Sequence, residues 1–324
     1  MMMFDFSALP SVTQSVIILT TVVVTKSIIG HFSADNTMKY FNHYCQRLSD
    51  KVNKSSNSND QQKIAGLIAL LITIVPIVVI LWLFEDFIAI NWLWQFLLLY
   101  FAFGDFNLIR LNNKISQKLH INDKKSARNL LDNYSLRDVA TLSTMGLSKA
   151  TIEMQLLKHL QRHIVVACCF LIVGPIMAFA YRLILEMHYS WNIKLTKFHY
   201  FGQTSNLILQ LISWLPIRIY YLAYLATTIG NGFISHFLLT KVYFFQLNTN
   251  IIIALHAFRL HIKLGGVAIY DHKKIRRSSF NDIGKAPEIT DIVSANKQLI
   301  LVNIILVMSI LIIATINYLP LFNR

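Results

Sequence analysis

Residues 64–84 read IAGLIALLITIVPIVVILWLF, a stretch without one charged side chain. A helix rising about 1.5 Å per residue needs about 20 mostly apolar residues to span the hydrocarbon of a bilayer. The stretch therefore predicts a transmembrane helix, and with it an all-α polytopic membrane protein. Only Glu85 and Asp86 separate it from a second apolar run, FIAINWLWQFLLLYFAFGDFNL at 87–108, so the two should form a tight hairpin. Further runs lie at 163–185 (HIVVACCFLIVGPIMAFAYRLIL), at 205–230 around the segment SWLPIR, and at 298–319 (QLILVNIILVMSILIIATINYL). A weaker one, at 11–30, contains Lys26. About six spans are expected, at 11–30, 64–84, 87–108, 163–185, 205–230 and 298–319, in a single domain covering 1–324.

Composition agrees with this reading. The 324 residues are 55% hydrophobic and 14% charged, with a mean hydropathy of +0.50. A soluble domain carries roughly 25% charged residues. A soluble enzyme, a disordered chain and a disulfide scaffold are excluded. Cys45 stands alone and Cys168 and Cys169 are neighbours in an apolar run, so the cysteines read as small hydrophobes. The net charge of +14 carries no nucleic-acid motif with it, and nucleic acid is not expected as a partner.

The basic residues are better explained by membrane orientation. Segments 31–63, 109–162 and 231–297 hold 24 of the 30 lysines and arginines. Lys194, Lys197 and Arg324 are left for the other side. Basic loops stay in the cytoplasm, so these three segments should form a cytoplasmic layer of a bacterial inner-membrane protein, with both termini periplasmic. Trp92, Trp94, Tyr181, Tyr189 and Trp191 would then sit near the outer interface, where amphipathic rings collect. No Lys or Arg precedes Lys26, and Asp5 stands where a signal peptide has its basic region. The first run is expected to be retained as an anchor.

Leu130, Leu131, Val139, Leu147, Ile152, Leu156 and Leu160 recur at helical spacing, so 109–162 predicts two or three amphipathic helices. Residues 231–270 read as further amphipathic helix and 271–296 as a polar loop. The cluster Lys273, Lys274, Arg276 and Arg277 in that loop suits an anionic inner leaflet, where each basic residue gains about 1 kcal/mol.

Polar groups inside apolar runs are the candidate site. A charge at bilayer mid-depth costs roughly 2.5–3.5 kcal/mol and usually pairs or lines a cavity. Asp105 ends the third run, and Arg182 and Glu186 lie one turn apart at the end of the fourth. Arg218 follows Pro216, which kinks its helix. With Trp214, Asn248 and Glu153 these residues make up the candidate pocket, for a small-molecule ligand or protein partner of unknown identity. His159 and His163 share a helix face, but no third ligand accompanies them. Asp271-His272 is a lone polar pair. No P-loop, nucleophile elbow, dinucleotide fingerprint or acid/base carboxylate pair is present. No catalytic, cofactor-binding or metal-ligating set is expected.

The segment FGQTSNLILQLISWLPIRIYYLAYLATTIGNG at 201–232 resembles the AmpE family, through Trp214, Pro216, Arg218, Gly230 and Gly232. So do 97–128 with Gly104, and IVVACCFLIVGPIMAFAYR with Gly174 and Tyr181-Arg182. AmpE proteins are inner-membrane proteins linked to β-lactamase induction, related to the CobD/CbiB cobalamin-biosynthesis proteins. The synthases of that wider group join a corrinoid acid to an amino alcohol using nucleotide and magnesium. Their acidic positions fall here near His163, His188, Leu209 and Gln210, and of their HPSPNAG element Asn248 remains. Glu153 matches one family acid, and no His-Pro element matches around Gly30-His31. The resemblance thus implies a non-catalytic regulator of cell-wall recycling and β-lactamase induction, with Arg218 as the anion partner of a degenerate pocket. A diverged adenosylcobinamide-phosphate synthase is the alternative, and a transporter the third reading.

Overall fold

The computed structural model describes residues 9–32, 38–104, 106–230 and 232–318. It is mostly helical. Helices α1 (Ser11–Phe32), α2 (Lys39–Val52), α3 (Asn59–Glu85) and α4 (Asn91–Ala102) are followed by α5 (Leu108–His120), α6 (Lys124–Asp132) and α7 (Thr144–His159). Then come α8 (Val165–Ile172), α9 (Pro175–Ser190), α10 (Gln203–Ala226), α11 (Phe233–Thr240), α12 (Asn250–Arg259) and α13 (Ile289–Tyr318). Among the described residues four helices are long and apolar enough to cross a membrane: Ser11–Ile29 of α1, α3, α10 and α13.

Helix α3 starts at a reciprocal cap. Gln61 N donates to Ser58 Oγ at 3.3 Å, and Ser58 N donates to Gln61 Oε1 at 2.9 Å. Its outer face presents Ile72, Val75, Ile80 and Trp82 to the surroundings, and α13 presents Ile304, Met308 and Ile312. Apolar surface this extensive is stable against lipid and not against water. An integral membrane protein follows.

Two apolar cores organise the chain. One joins α1, α3, α4, α8, α9 and the first half of α10, through Val22, Ala69, Leu99, Val166, Tyr181 and Leu209. The other joins α5, α6, α7, the second half of α10, α12 and the start of α13, through Ile115, Leu131, Leu156, Tyr224, Ile252 and Leu299. Helix α10 belongs to both and ties them together.

Two expected spans are not single long helices. Helix α4 keeps 12 residues of the run at 87–108, a length of about 18 Å. The run at 163–185 is broken at Val173-Gly174. Val173 N and Gly174 N both donate to Cys169 O, at 3.0 and 3.1 Å, and Gly174 has φ 124° and ψ −178°. That conformation is open to glycine alone, and Pro175 starts α9 where its missing N–H is not needed. The limbs then pack as an antiparallel hairpin. Tyr189 Oη donates to Gln161 Oε1 at 2.8 Å, and Arg162 Nη2 lies 3.8 Å from Glu186 Oε1, each pair nearly equidistant from the turn.

The hairpin corrects the expected placement of Lys194 and Lys197. A single crossing would put both across the membrane from the basic segments. Instead Lys197 Nζ meets Asp50 Oδ1 at 2.7 Å, Trp191 Nε1 donates to Cys45 O at 3.0 Å, and Lys194 lies 5.1 Å from the Tyr270 ring. Tyr189 and Trp191 gather at this same end.

The all-helical expectation also misses two small antiparallel pairs. Strands β1 (Leu264–Gly265) and β4 (Ser279–Phe280) pair Leu264 with Phe280, and β2 (Ala268–Tyr270) and β3 (Lys273–Ile275) pair Tyr270 with Lys273. Two or three residues per strand are too few to show an alternating pattern. Asp271 and His272 form the two-residue turn between β2 and β3, with φ 49° and 59°.

Candidate functional site

The charged groups converge on a cavity of about 380 Å³ at the open end of the α8–α9 hairpin. Its wall is drawn from α2, the end of α6 and the loop after it, α7 and the turn that follows, α9 and the loop after it, β2, and the loop between β3 and β4. Five cations, Arg137, Lys158, Arg162, Lys194 and Arg277, face three carboxylates, Asp132, Glu153 and Glu186.

Glu153 forms one pole. Serine 143 caps the start of α7 by accepting from Gly146 N at 3.2 Å, and this helix carries Glu153 inward until it is 6% exposed. Its Oε1 accepts from Gly265 N at 2.8 Å, and its Oε2 meets Arg277 Nη2 at 2.9 Å. Arg277 Nε donates to Gly266 O at 3.2 Å, which locks the guanidinium to the β-turn region. Burial works against the charge of Arg277, but the Glu153 carboxylate and Tyr270 outweigh it and hold the guanidinium above its ordinary value. Arg277 is therefore set apart from the exposed Lys273, Lys274 and Arg276; its partner is a buried carboxylate.

Glu186 forms the other pole and is 2% exposed. Arg182, one turn before it, lies 2.8 Å from Oε1, and Asn42 Nδ2 donates to Oε2 at 3.0 Å. Arg162 approaches from the π-helical turn Leu160–Ile164, where the widened backbone re-aims side chains. Gly104 packs against this turn: its N donates to Arg162 O at 3.1 Å, and a Cβ there would meet Arg162 Cβ at 2.7 Å.

Between the poles the cations rest on rings. Lys158 Nζ is 4.9 Å from the Tyr134 ring, the Arg162 guanidinium 5.3 Å from Tyr189, and Lys194 Nζ 5.1 Å from Tyr270. Ring faces stabilise these charges without neutralising them. Arg137 differs from the rest. Its Nε and Nη1 are buried with no hydrogen-bond partner among the described residues. Burial lowers its pKa, and Glu153 offsets this while Arg277 adds to it. Lys149, behind Glu153, is likewise lowered, by burial first and then by Arg277, Arg137 and Lys263 against the pull of Glu153.

This arrangement suits an anion. Magnesium takes hard oxygen ligands, usually one or two carboxylates with substrate phosphates. Both buried carboxylates here already touch guanidinium groups, and among the described residues no three His, Cys, Asp or Glu side chains converge. Asp132 is the third carboxylate of the wall and lies exposed at its rim.

Of the residues singled out from sequence, Glu153 and Glu186 line this cavity and Arg182 lies behind Glu186. Asp105 lies outside the described residues. Trp214, Pro216, Arg218 and Asn248 form a separate cluster. Arg218 Nε donates to Phe244 O at 2.8 Å, its Nη2 to Gln246 O, and its Nη1 reaches Asn248 O at 3.5 Å, with the guanidinium 5.0 Å from the Trp214 ring. Among the described residues, backbone carbonyls and no carboxylate satisfy the charge. Arg218 staples the turn after α11 to α10 and does not face the cavity. His159 Nε2 pairs with Asn303 Oδ1 at 2.9 Å, and His163 stacks on Phe106 at 4.7 Å. Sequence reasoning missed Arg137, Lys158 and Lys194 as a group. They lie in three segments whose meeting depends on the hairpin.

Comparison with known proteins identifies relatives. A family model described as CobD/Cbib protein matches residues 22–299. Cobalamin biosynthesis protein CobD of Stutzerimonas stutzeri (strain A1501) is 24% identical over 262 residues, covering 81% of this chain and 86% of the relative. No solved structure matches. These matches overturn the expectation of an AmpE-like, non-catalytic regulator, because both lead to the biosynthetic branch. Arg218, expected to be the anion partner of the pocket, lies outside the charged cavity, whereas Glu153 and His188 line it.

Proposed function

Because the chain belongs to the CobD/CbiB protein family, we propose that it is a membrane-embedded amide synthase of cobalamin biosynthesis, joining a corrinoid carboxylate to an amino alcohol with consumption of nucleotide. The family match over residues 22–299 carries this reading. The cavity supports it chemically: five cations in one wall suit reactants that bear carboxylate and phosphate. Amide formation expels the elements of water, so the carboxylate needs an activated oxygen to leave. Arg137, Lys158 and Lys194 hold such anions, while Glu153 and Glu186 keep Arg277 and Arg182 in fixed orientations.

We place the protein in the bacterial inner membrane, with the cavity opening to the cytoplasm. The basic excess of 31–63, 109–162 and 231–297 supports this orientation. The α8–α9 hairpin then enters and leaves from the cytoplasmic face, and the exposed Lys273, Lys274 and Arg276 meet anionic lipid. The exposed Ile234, Phe237, Leu238, Val242 and Phe245 of α11 and its following turn lie in the interface as an apolar anchor.

Expression in a bacterial strain deleted for its own synthase tests the reading. The wild-type chain should restore growth that depends on cobalamin made from the incomplete corrinoid, and R137Q should not. Failure of a stably inserted wild-type chain to restore growth would reject the proposal.

A further inference from the structure

We propose that His188 serves the cavity as a fixed, neutral hydrogen-bond donor, its Nδ1–H held ready for the carbonyl oxygen of the ligand as that oxygen gains charge. The inference deepens the proposed synthase reading and rests on it for the identity of that oxygen. The donor itself follows from the hydrogen bonds around the imidazole.

His188 stands near the end of α9 and lines the cavity. The loop that follows orients its ring. Asn192 Oδ1 accepts from Lys194 N at 3.1 Å, which fixes the amide and turns its nitrogen toward the imidazole. Asn192 Nδ2 then lies 3.4 Å from His188 Nε2 and donates to it. An amide nitrogen cannot accept, so Nε2 must, and a neutral imidazole then carries its hydrogen on Nδ1. Nδ1 is buried, and among the described residues it has no hydrogen-bond partner. A buried donor without an acceptor is costly, and a ligand oxygen relieves that cost. The ring stays neutral because burial, and then Lys194, push its pKa down to about 4. Around it the wall sets five cations against three carboxylates, of which Glu186 is on its own helix.

This division of donors suits amide formation. The cations meet groups that carry full charge before reaction, phosphate and carboxylate, where a neutral donor adds little. Its contribution comes when the amine nitrogen attacks the carboxyl carbon, already activated by the nucleotide with its leaving oxygen on phosphorus. The C–N bond forms, the π pair moves onto the carbonyl oxygen, and Nδ1–H meets the oxyanion. As that pair returns, the bond to the phosphorus-bearing oxygen breaks. The phosphate departs with those electrons and takes the surplus proton of the amine, while His188 keeps its own. A donor that binds more tightly in the transition state than before it raises the rate more than the affinity.

The test uses the full chain in detergent micelles. Histidine labelled with the heavy nitrogen isotope gives the tautomer by nuclear magnetic resonance, and H188N identifies the His188 signals by their loss. Hydrogen on Nδ1 and none on Nε2 is expected, unchanged between about pH 5.5 and 8. Amide formation is followed by mass spectrometry with corrinoid acid, amino alcohol phosphate and nucleotide. H188A should lower kcat roughly a hundred- to a thousandfold and move each KM less than roughly threefold. H188N, whose amide nitrogen stands in for Nδ1, should come within roughly tenfold of the wild type. The ratio of these two rates should stay constant over the same pH range, since neither donor titrates there. Melting curves confirm that each variant is folded. A bare Nδ1, a His188 that titrates in that range, a folded H188A as fast as the wild type, a loss confined to KM, or an H188N no better than H188A would each overturn the proposal. A wild-type chain that makes no amide would reject the synthase reading, and the nitrogen spectrum would still decide the donor. Amide formation by a chain with a bare Nδ1 would do the reverse.

Discussion

Glu153 is the residue on which the cavity's geometry turns. It joins α7 to β1 through Gly265 N and to the β3–β4 loop through Arg277. Replacement by Gln keeps a hydrogen-bond acceptor but leaves Arg277 without its counter-charge. Removing one partner of a fully buried pair costs about 3–5 kcal/mol. Arg277 is 20% exposed, which lowers the expectation for E153Q to about 2–3 kcal/mol, read as a fall in the thermal midpoint. Lys149 should respond in the opposite sense. Burial lowers its pKa in the folded state, so the unfolded chain binds more protons between that value and the ordinary 10.5, and stability rises with pH through that window. K149M should therefore melt higher than the wild type at neutral pH, and the advantage should shrink as pH approaches the ordinary lysine value. An unchanged or lower midpoint would contradict the crowding of cations around Glu153.

At the scale of elements, the hairpin of α8 and α9 decides which segments meet. The apolar residues of 163–185 predict one crossing, since a kinked span and a tight helical hairpin have the same hydropathy. The dipeptide Gly174-Pro175 was the visible signal, and only the φ of 124° shows which it is. A Cβ on Gly174 meets nothing within 4 Å, so Gly174→Ala costs backbone strain alone, about 1–3 kcal/mol. Topology gives a sharper test. The hairpin predicts that K197C and K125C are labelled by an impermeant thiol reagent from the same side of sealed membranes, with the native cysteines removed. Labelling from opposite sides would require a single crossing at 163–185. Long apolar helices were legible wherever apolar run and helix coincide, as in α3 and α13. The end of α4 was not, since its 12 residues stop inside a longer apolar run, with Leu98 and Leu99 buried and Trp92 and Leu97 exposed.

For the whole molecule, membership of the family was within reach of the sequence and its branch was not. The motif around Trp214, Pro216 and Arg218 marks the group, yet in the fold it is a staple for the turn after α11, with its charge spent on backbone carbonyls. The cavity instead draws Arg137, Lys158, Lys194 and Arg277 from segments far apart in the chain, so no local spacing could reveal it. Of the aligned positions where acids are missing, His188 lines this cavity, and the cations beside it are what no comparison of acids brings out. The central claim is that this cation-lined cavity serves amide synthesis. The most direct measurement is mass spectrometry of the corrinoid after purified full-length chain is incubated with corrinoid acid, amino alcohol phosphate and nucleotide. The account predicts a product heavier by the amino alcohol phosphate less water, formed by the wild type and strongly reduced in R137Q. A corrinoid recovered unchanged from folded wild-type protein would contradict it.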